Sequence, residues 1–286
     1  MIDYPVFRSL PDEYVRSKIK EFLAEDAPRG DITTDPIFDR GAAARAYIEA
    51  QSELVFAGES LLDNFFGKNC RVDLSARDGD SLESGDIIAN IEGPAAEILK
   101  IERPLLNLLQ RLCGIATQTL DYAKIASPYG VKILDTRKTT PGLRLFEKYA
   151  VAVGGGFNHR LDLSSGILIK DNHIQAAGGI DAAVRKIRGG NHTLPVELEI
   201  DRIDQIHEGL AAGADGFLLD NMSPEECRKA VEMIRHSPGG GDIFIEASGG
   251  ITLSALSDYV STGVNAISVG ALTHSVKAAD IHIEFE

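Results

Sequence analysis

Six apolar runs in the second half of the chain each end in residues able to do chemistry. Residues 131–134 lead into Asp135-Thr136-Arg137-Lys138, residues 167–169 into Lys170-Asp171-Asn172-His173, and residues 196–198 into Glu199. Residues 216–219 end at Asp220-Asn221, residues 243–245 at Glu246-Ala247-Ser248-Gly249-Gly250, and residues 266–269 at Gly270-Ala271. Lys170 could form a Schiff base or, as a cation, bind a carboxylate. Arg137, Lys138 and Arg160 add further positive charge and favour the second role. Glu199 and Asp220 could hold Mg²⁺ directly or through water, stabilise a cationic transition state, or act as acid and base. The plain alternative is two strand-end acids neutralised by Lys170 or Arg160.

Glycine marks the last two of these turns. Ser248, Gly249 and Gly250, then Gly270 and Ala271, would let backbone N–H groups approach a phosphate closely. Tight turns need glycine anyway, but two on consecutive late strands favour an anion site. Gly154-Gly155-Gly156-Phe157-Asn158-His159-Arg160 lacks the dinucleotide pattern G-x-G-x-x-G, and no P-loop pattern occurs. No tightly bound organic cofactor is therefore expected.

The elements that would carry these residues alternate. Strands at the six runs, with helices near 142–153, 179–188, 202–212, 223–236 and 252–262, imply parallel βαβ units. Six decorated strand ends argue for convergence on one barrel mouth, and six strands fall short of the eight in a closed barrel. An incomplete barrel is expected. Before it, residues 11–26 have helical spacing, 44–49, 71–74 and 86–91 read as strands, and 95–126 read as a long bridging helix that Gly114 could bend. His207, His236 and His282 look like surface residues.

Composition frames this reading. The chain has 286 residues, 44% hydrophobic, with a net charge of -14. That charge disfavours nucleic-acid or anionic-membrane partners. Residues 132–173 are the exception, with seven Lys/Arg against four acids, a basic island suited to a small anion. No apolar run reaches the ~20 residues of a membrane span, no secretory signal is evident at the start, and the three cysteines are widely spaced. A cytoplasmic protein with reduced thiols is expected.

Longer motifs carry a resemblance. Asp135-Thr136-Arg137-Lys138-Thr139-Thr140-Pro141-Gly142-Leu143-Arg144, Gly154 to Arg160, and Leu168-Ile169-Lys170-Asp171-Asn172-His173 closely resemble the quinolinate phosphoribosyltransferase family. Gly30-Asp31-Ile32-Thr33, Glu102-Arg103-Pro104-Leu105-Leu106-Asn107 and Gly270-Ala271-Leu272-Thr273-His274-Ser275 extend the match over nearly the whole chain. Cys113 stands where the family often has Ser, and packing alone is expected of it.

The resemblance implies an α/β protein with an N-terminal α/β open-sandwich domain and a C-terminal incomplete α/β (TIM-like) barrel. The spans would be 1–112, 113–275 and a tail at 276–286. It implies a homodimer with shared active sites, with any higher assembly left open. The implied reaction joins quinolinate and phosphoribosyl pyrophosphate, with Mg²⁺, to give nicotinate mononucleotide, CO₂ and pyrophosphate. Arg137, His159, Arg160 and Lys170, with Arg103 from a partner chain, would bind the two carboxylates of quinolinate. Lys138 would meet the phosphorylated co-substrate, Ser248, Gly249, Gly250, Gly270 and Ala271 its 5′-phosphate, and Glu199 and Asp220 the anomeric carbon or the metal. The alternatives are a related barrel protein of the molybdenum-transport type, a nicotinate transferase that does not decarboxylate, an aldolase using Lys170, and a metabolite-binding protein.

Overall fold

The computed structural model describes residues 2–39, 41–190 and 192–286. The first part runs α1 (Asp12–Asp26), α2 (Thr34–Ile37), β1 (Ala43–Ala50), β2 (Leu54–Val55), α3 (Glu59–Phe65), β3 (Arg71–Leu74), β4 (Ser81–Leu82), β5 (Ile87–Pro94) and α4 (Ala95–Ala126). Then follow β6 (Lys132–Leu134), α5 (Arg144–Val153), β7 (Ile167–Ile169), α6 (Asp171–Ala177), α7 (Ile180–Arg188), β8 (Val196–Ile200) and α8 (Gln205–Ala212). The chain continues with β9 (Gly216–Asp220), α9 (Pro224–Arg235), β10 (Phe244–Ser248), α10 (Leu256–Val260), β11 (Ala266–Ser268), α11 (Ala271–His274) and β12 (Ile281–Phe285).

Two compact units interleave in sequence. One comprises Phe7–Leu120, Leu145–Gly155 and Val276–Glu286; the other holds the residues up to Val6, Asp121–Arg144 and Gly156–Ser275. Packing therefore differs from a division into the contiguous spans 1–112, 113–275 and 276–286. The physical reason is that α5 and the last strand find their apolar partners in the first unit, whereas Ile2 and Tyr4 find theirs in the second.

The first unit is built on an antiparallel sheet of order β12-β1-β5-β3. Alternation in β1 buries Ala46, Ile48 and Ala50, and Ile48 pairs with Ile283 on one side and Ala89 on the other. Residues 281–285 are thus a strand, not part of a tail; Ile281 and Ile283 alternate with His282 and Glu284, a period of two at the chain end. The helix α4 buries Ile98, Leu105, Leu109 and Leu112 along one face. Gly114 does not break α4, and its role is close approach: an added Cβ would lie 2.2 Å from the Lys277 carbonyl. Arg111 bonds the buried Glu147 of α5 through Nε at 2.9 Å, and Tyr149 donates its hydroxyl to Asp78. Cys113 is buried, accepts the Ala57 N–H, and has its thiol pushed up to about 12 by burial, so it packs.

The second unit is the incomplete barrel, a parallel sheet of order β6-β11-β10-β9-β8-β7. Residues paired across parallel strands project to the same face. One such row reads Leu168, Glu197, Gly216, Phe244, and the next Glu199, Leu218, Glu246, Ala266. Val196, Leu198 and Ile200 take the opposite, equally buried face, as expected of a sheet covered on both sides. At the amino ends of β9, β10 and β11, Ile2 packs among Phe244, Ala266 and Leu134, and the missing side chain of Gly216 makes its room. At the free edge of β6, Phe157 bridges Leu134 in parallel, accepting from Asp135 N at 3.1 Å. That bridge fixes where residues 158–160 run.

Candidate active site

The carboxyl ends of the barrel strands carry the reactive side chains. Lys170 follows β7, and its Nζ donates to Glu199 Oε2 of β8 at 2.6 Å. The amine is thereby engaged as an ion-pair partner, which fits anion binding better than Schiff-base attack. Asp220 closes β9 and accepts from Asn221 Nδ2 at 2.7 Å. Glu199 and Asp220 are both half-buried, on neighbouring strands.

The loop after β10 is laced to the loop after β9. Asn221 adopts a left-handed backbone, φ 55°, which Asn tolerates better than most residues, and its N–H donates to the Ser248 carbonyl at 2.8 Å. Gly249 has φ +102°, and a Cβ there would fall 2.3 Å from Asn221 Oδ1. Only glycine fits this turn. After β11, Gly270 leaves room for Lys138 and His274, whose atoms would lie 3.2 and 3.1 Å from its Cβ. Thr273 Oγ1 donates to the Lys138 carbonyl at 2.8 Å, anchoring the loop that carries Arg137 and Lys138. Lys138 is exposed, while Ser248 and Ala271 are half-buried.

Arg137 and Arg160 form the cationic wall. Arg160 is buried, donates through Nη1 to the Gly166 carbonyl at 2.8 Å, and has its pKa lowered first by burial and then by the Arg137 charge. Arg137 Nε is buried with no hydrogen-bond partner among the described residues. Two guanidiniums held near each other, one with an orphaned buried donor, are arranged for an anion.

His159 lies beneath Arg160 and faces inward. Its Nδ1 accepts the Arg160 backbone N–H at 2.8 Å, and its Nε2 is 3.6 Å from both Glu197 Oε2 and Glu246 Oε2. These three side chains are buried, with ligand-type atoms all within 4.8 Å of one another. An accepting Nδ1 leaves the ring proton on Nε2, making Nε2 a donor and unsuited to a cation. Sequence patterns singled out Glu199 and passed over Glu197 and Tyr4. The spacing Val196-Glu197-Leu198-Glu199-Ile200 held the signal, because both acids of a strand with period two share a face.

For Mg²⁺ the fitting donors are Glu199 and Asp220, two hard carboxylates with access to water. Among the candidates, Arg103 alone belongs to the first unit. It lies on α4, exposed, with Nη2 3.7 Å from Glu102 Oε1.

The chain is similar to known proteins over nearly its whole length. Residues 115–284 match the family described as quinolinate phosphoribosyl transferase, C-terminal domain, and residues 31–113 match its N-terminal domain. The chain is 45% identical over 274 residues to a probable carboxylating nicotinate-nucleotide pyrophosphorylase of Bacillus subtilis, covering 94% of this chain and 93% of that one. It is 38% identical over 275 residues to the carboxylating nicotinate-nucleotide pyrophosphorylase of Mycobacterium leprae, covering 94% and 96%. Among solved structures, the nicotinate-nucleotide pyrophosphorylase from Francisella tularensis superposes with a TM-score of 0.92 at 36% identity, covering 99% of this chain and 100% of that one. With both of its parts matched and the strand-end residues assembled at one mouth, the chain belongs to the quinolinate phosphoribosyltransferase family.

Proposed function

We propose that the mouth of the barrel unit performs the phosphoribosyl transfer for which the family is named. The enzyme joins phosphoribosyl pyrophosphate to quinolinate and releases CO₂ and pyrophosphate, giving nicotinate mononucleotide for NAD synthesis. The observation that carries the reading is the Arg137–Arg160 pair with its orphaned buried Nε. Quinolinate has two carboxylates on a planar ring, and planar guanidinium forks recognise carboxylates through two parallel bonds. Lys170 adds a third cation.

Loss of pyrophosphate develops positive charge at the anomeric carbon. Glu199 and Asp220, at the ends of adjacent strands, are the carboxylates placed to stabilise it. Bound Mg²⁺ would neutralise the departing pyrophosphate, with the same two residues holding it directly or through water. Lys138, beside Gly270, faces the phosphorylated co-substrate, and the turns at Ser248, Gly249, Gly250, Gly270 and Ala271 take its 5′-phosphate. Attack by the pyridine nitrogen makes the ring cationic, so the positive nitrogen can stabilise the electron pair left on C2 when the adjacent carboxylate leaves as CO₂, and C2 then takes up a proton from solvent. Transfer before decarboxylation is the chemically sensible order.

The working form is a homodimer in which Arg103 reaches the partner's site, and the reaction takes place in the cytoplasm. Among the described residues, no helix is long and apolar enough to cross a membrane. The deciding experiment measures CO₂ release that depends on both quinolinate and phosphoribosyl pyrophosphate. Activity on nicotinate with no CO₂ from quinolinate would replace this reading with that of a non-decarboxylating transferase.

A further inference from the structure

Two carboxylates in the barrel interior lie outside the chemistry assigned above. Glu197 of β8 and Glu246 of β10 are fully buried. Burial of a carboxylate is costly unless donors compensate it. Tyr4 Oη donates to Glu197 Oε2 at 3.1 Å, and the tyrosine ring stacks on His159 with centroids 4.8 Å apart and planes at 28°. His159 Nε2–H points between Glu197 and Glu246, at 3.6 Å from each. Glu197 Oε1 and both oxygens of Glu246 lack a well-formed hydrogen bond among the described residues, with the Ser268 side chain and Glu197 the groups that approach Glu246. An all-apolar layer would fill this space at less cost, so the polar cluster calls for another explanation.

What it touches supplies one. The ring of His159 is bonded on one side to the backbone of Arg160 and faces the two acids on the other. From the far side, Asp135 accepts His159 N–H at 2.8 Å and Asn158 Nδ2 at 2.6 Å. Tyr4 and Arg160 both crowd Gly166, and the two are close enough to interact electrostatically. A Cβ on Gly166, whose carbonyl receives the Arg160 guanidinium, would lie 2.7 Å from the Tyr4 ring and 3.2 Å from Arg160 Cβ. Arg160 is therefore held at its amide by His159 and at its fork by Gly166, while Tyr4 stacks on the His159 ring that takes the amide.

We propose that Tyr4, Glu197 and Glu246 are positioning residues that act through His159 to aim the Arg160 guanidinium at a carboxylate of quinolinate. This rests on the assignment of Arg160 to that carboxylate. His159 then serves from inside the barrel, and the substrate meets Arg160 instead. Burial, opposed by His159 and Ser268 and reinforced by Glu197, pushes the Glu246 carboxyl up to about 8, which keeps a proton on this acid near neutrality and gives the cluster a donor as well as acceptors.

The test uses the full-length enzyme, with quinolinate affinity measured by calorimetry and kcat and KM for both substrates measured in parallel. Tyr4→Phe keeps the stacked ring and loses the hydroxyl. Glu246→Gln keeps the shape and a donor, whereas Glu246→Leu keeps bulk only. Tyr4→Phe and Glu246→Leu are expected to weaken quinolinate binding by roughly 10-fold, by analogy with the loss when a group that orients a metal ligand is removed. Their kcat at saturation and KM for phosphoribosyl pyrophosphate should stay near wild type, and Glu246→Gln should restore quinolinate affinity. A space-filling role predicts instead that Leu serves as well as Glu. Arg160→Lys is the reference. If it weakens quinolinate binding while Tyr4→Phe and Glu246→Leu bind as wild type, the positioning proposal is overturned and the assignment of Arg160 stands. If Arg160→Lys itself binds as wild type, that assignment fails and takes the proposal with it. Tyr4→Phe removes a single oxygen, so it decides the matter even where Glu246→Leu does not fold.

Discussion

Lys170 Nζ and Glu199 Oε2 lie 2.6 Å apart and tie the end of β7 to the end of β8. The contact sets two opposite charges at the barrel mouth, one suited to a substrate carboxylate and the other to a developing cation. It also means neither charge stands alone in a half-buried setting, where an unpaired one would be costly.

Glu199→Gln should therefore separate binding from chemistry. The amide retains the shape and can still accept from Lys170, but it cannot offset charge that appears mainly in the transition state. We expect kcat to fall by roughly 10²–10³, with a much smaller change in quinolinate affinity. Near-normal turnover in a folded variant would remove Glu199 from the mechanism.

Arg160→Lys asks whether the fork or the charge matters. Lysine keeps the cation and loses both the planar geometry and the match to the Gly166 carbonyl. Quinolinate affinity should drop, toward the lower end of the ~2–5 kcal/mol seen when a buried charge pair loses one partner, because the charge remains. Equal affinity in titration calorimetry would show that bidentate recognition is the wrong account.

Much of the architecture was legible in the chain, for a physical reason. The barrel strands are short apolar runs that end in polar residues, and this pattern marked β6 to β11 and the mouth residues together. The helix α4 was equally plain, because Ile98, Leu105, Leu109 and Leu112 repeat at helical spacing. What escaped were contacts between distant segments. Nothing local shows that Ile2 fills the space above Gly216, or that Tyr4 meets Glu197 from 193 residues away. Residues 281–285 were missed as a strand because one short alternating run at a chain end looks like any polar tail until Ile48 is found opposite Ile283. The inward turn of His159 was likewise hidden, since sequence shows a histidine beside an arginine but not which way its ring faces.

Glu246 should leave a signature in the pH dependence of stability. Its carboxyl is pushed up to about 8 in the folded protein, chiefly by burial. Between the ordinary carboxyl range and about 8, the folded state holds a proton that the unfolded chain has lost. Stability from this group therefore falls as pH rises through that window, by up to ~1.4 kcal/mol per pH unit, and levels off above it. Glu246→Gln abolishes the titration. The Tm of the variant relative to wild type should shift in the variant's favour from pH 5 to pH 8, and a difference independent of pH would refute a proton on Glu246.

The shared site is the last expectation, and Arg103 carries it. The residue lies on α4 and is 60% exposed, with its guanidinium 3.7 Å from Glu102. An exposed pair at that distance contributes little, about 0–1 kcal/mol, so Arg103 can leave Glu102 for a substrate carboxylate at small cost. In a twofold dimer each chain would lend its Arg103 to the other's barrel, and two equivalent composite sites would result. Arg103→Ala and Lys170→Ala should each be inactive alone, since each empties one component from both sites. Mixed under conditions that allow subunit exchange, they form hybrids in which one site carries both lesions and the other carries neither. Activity should then return to as much as about half per hybrid dimer, consistent with two equivalent sites. The check pairs this assay with mass measurement of hybrids by native spectrometry. Hybrids that form and remain inactive would mean that Arg103 serves only its own chain, and the exposed Arg103–Glu102 pair would then be an ordinary surface contact on α4.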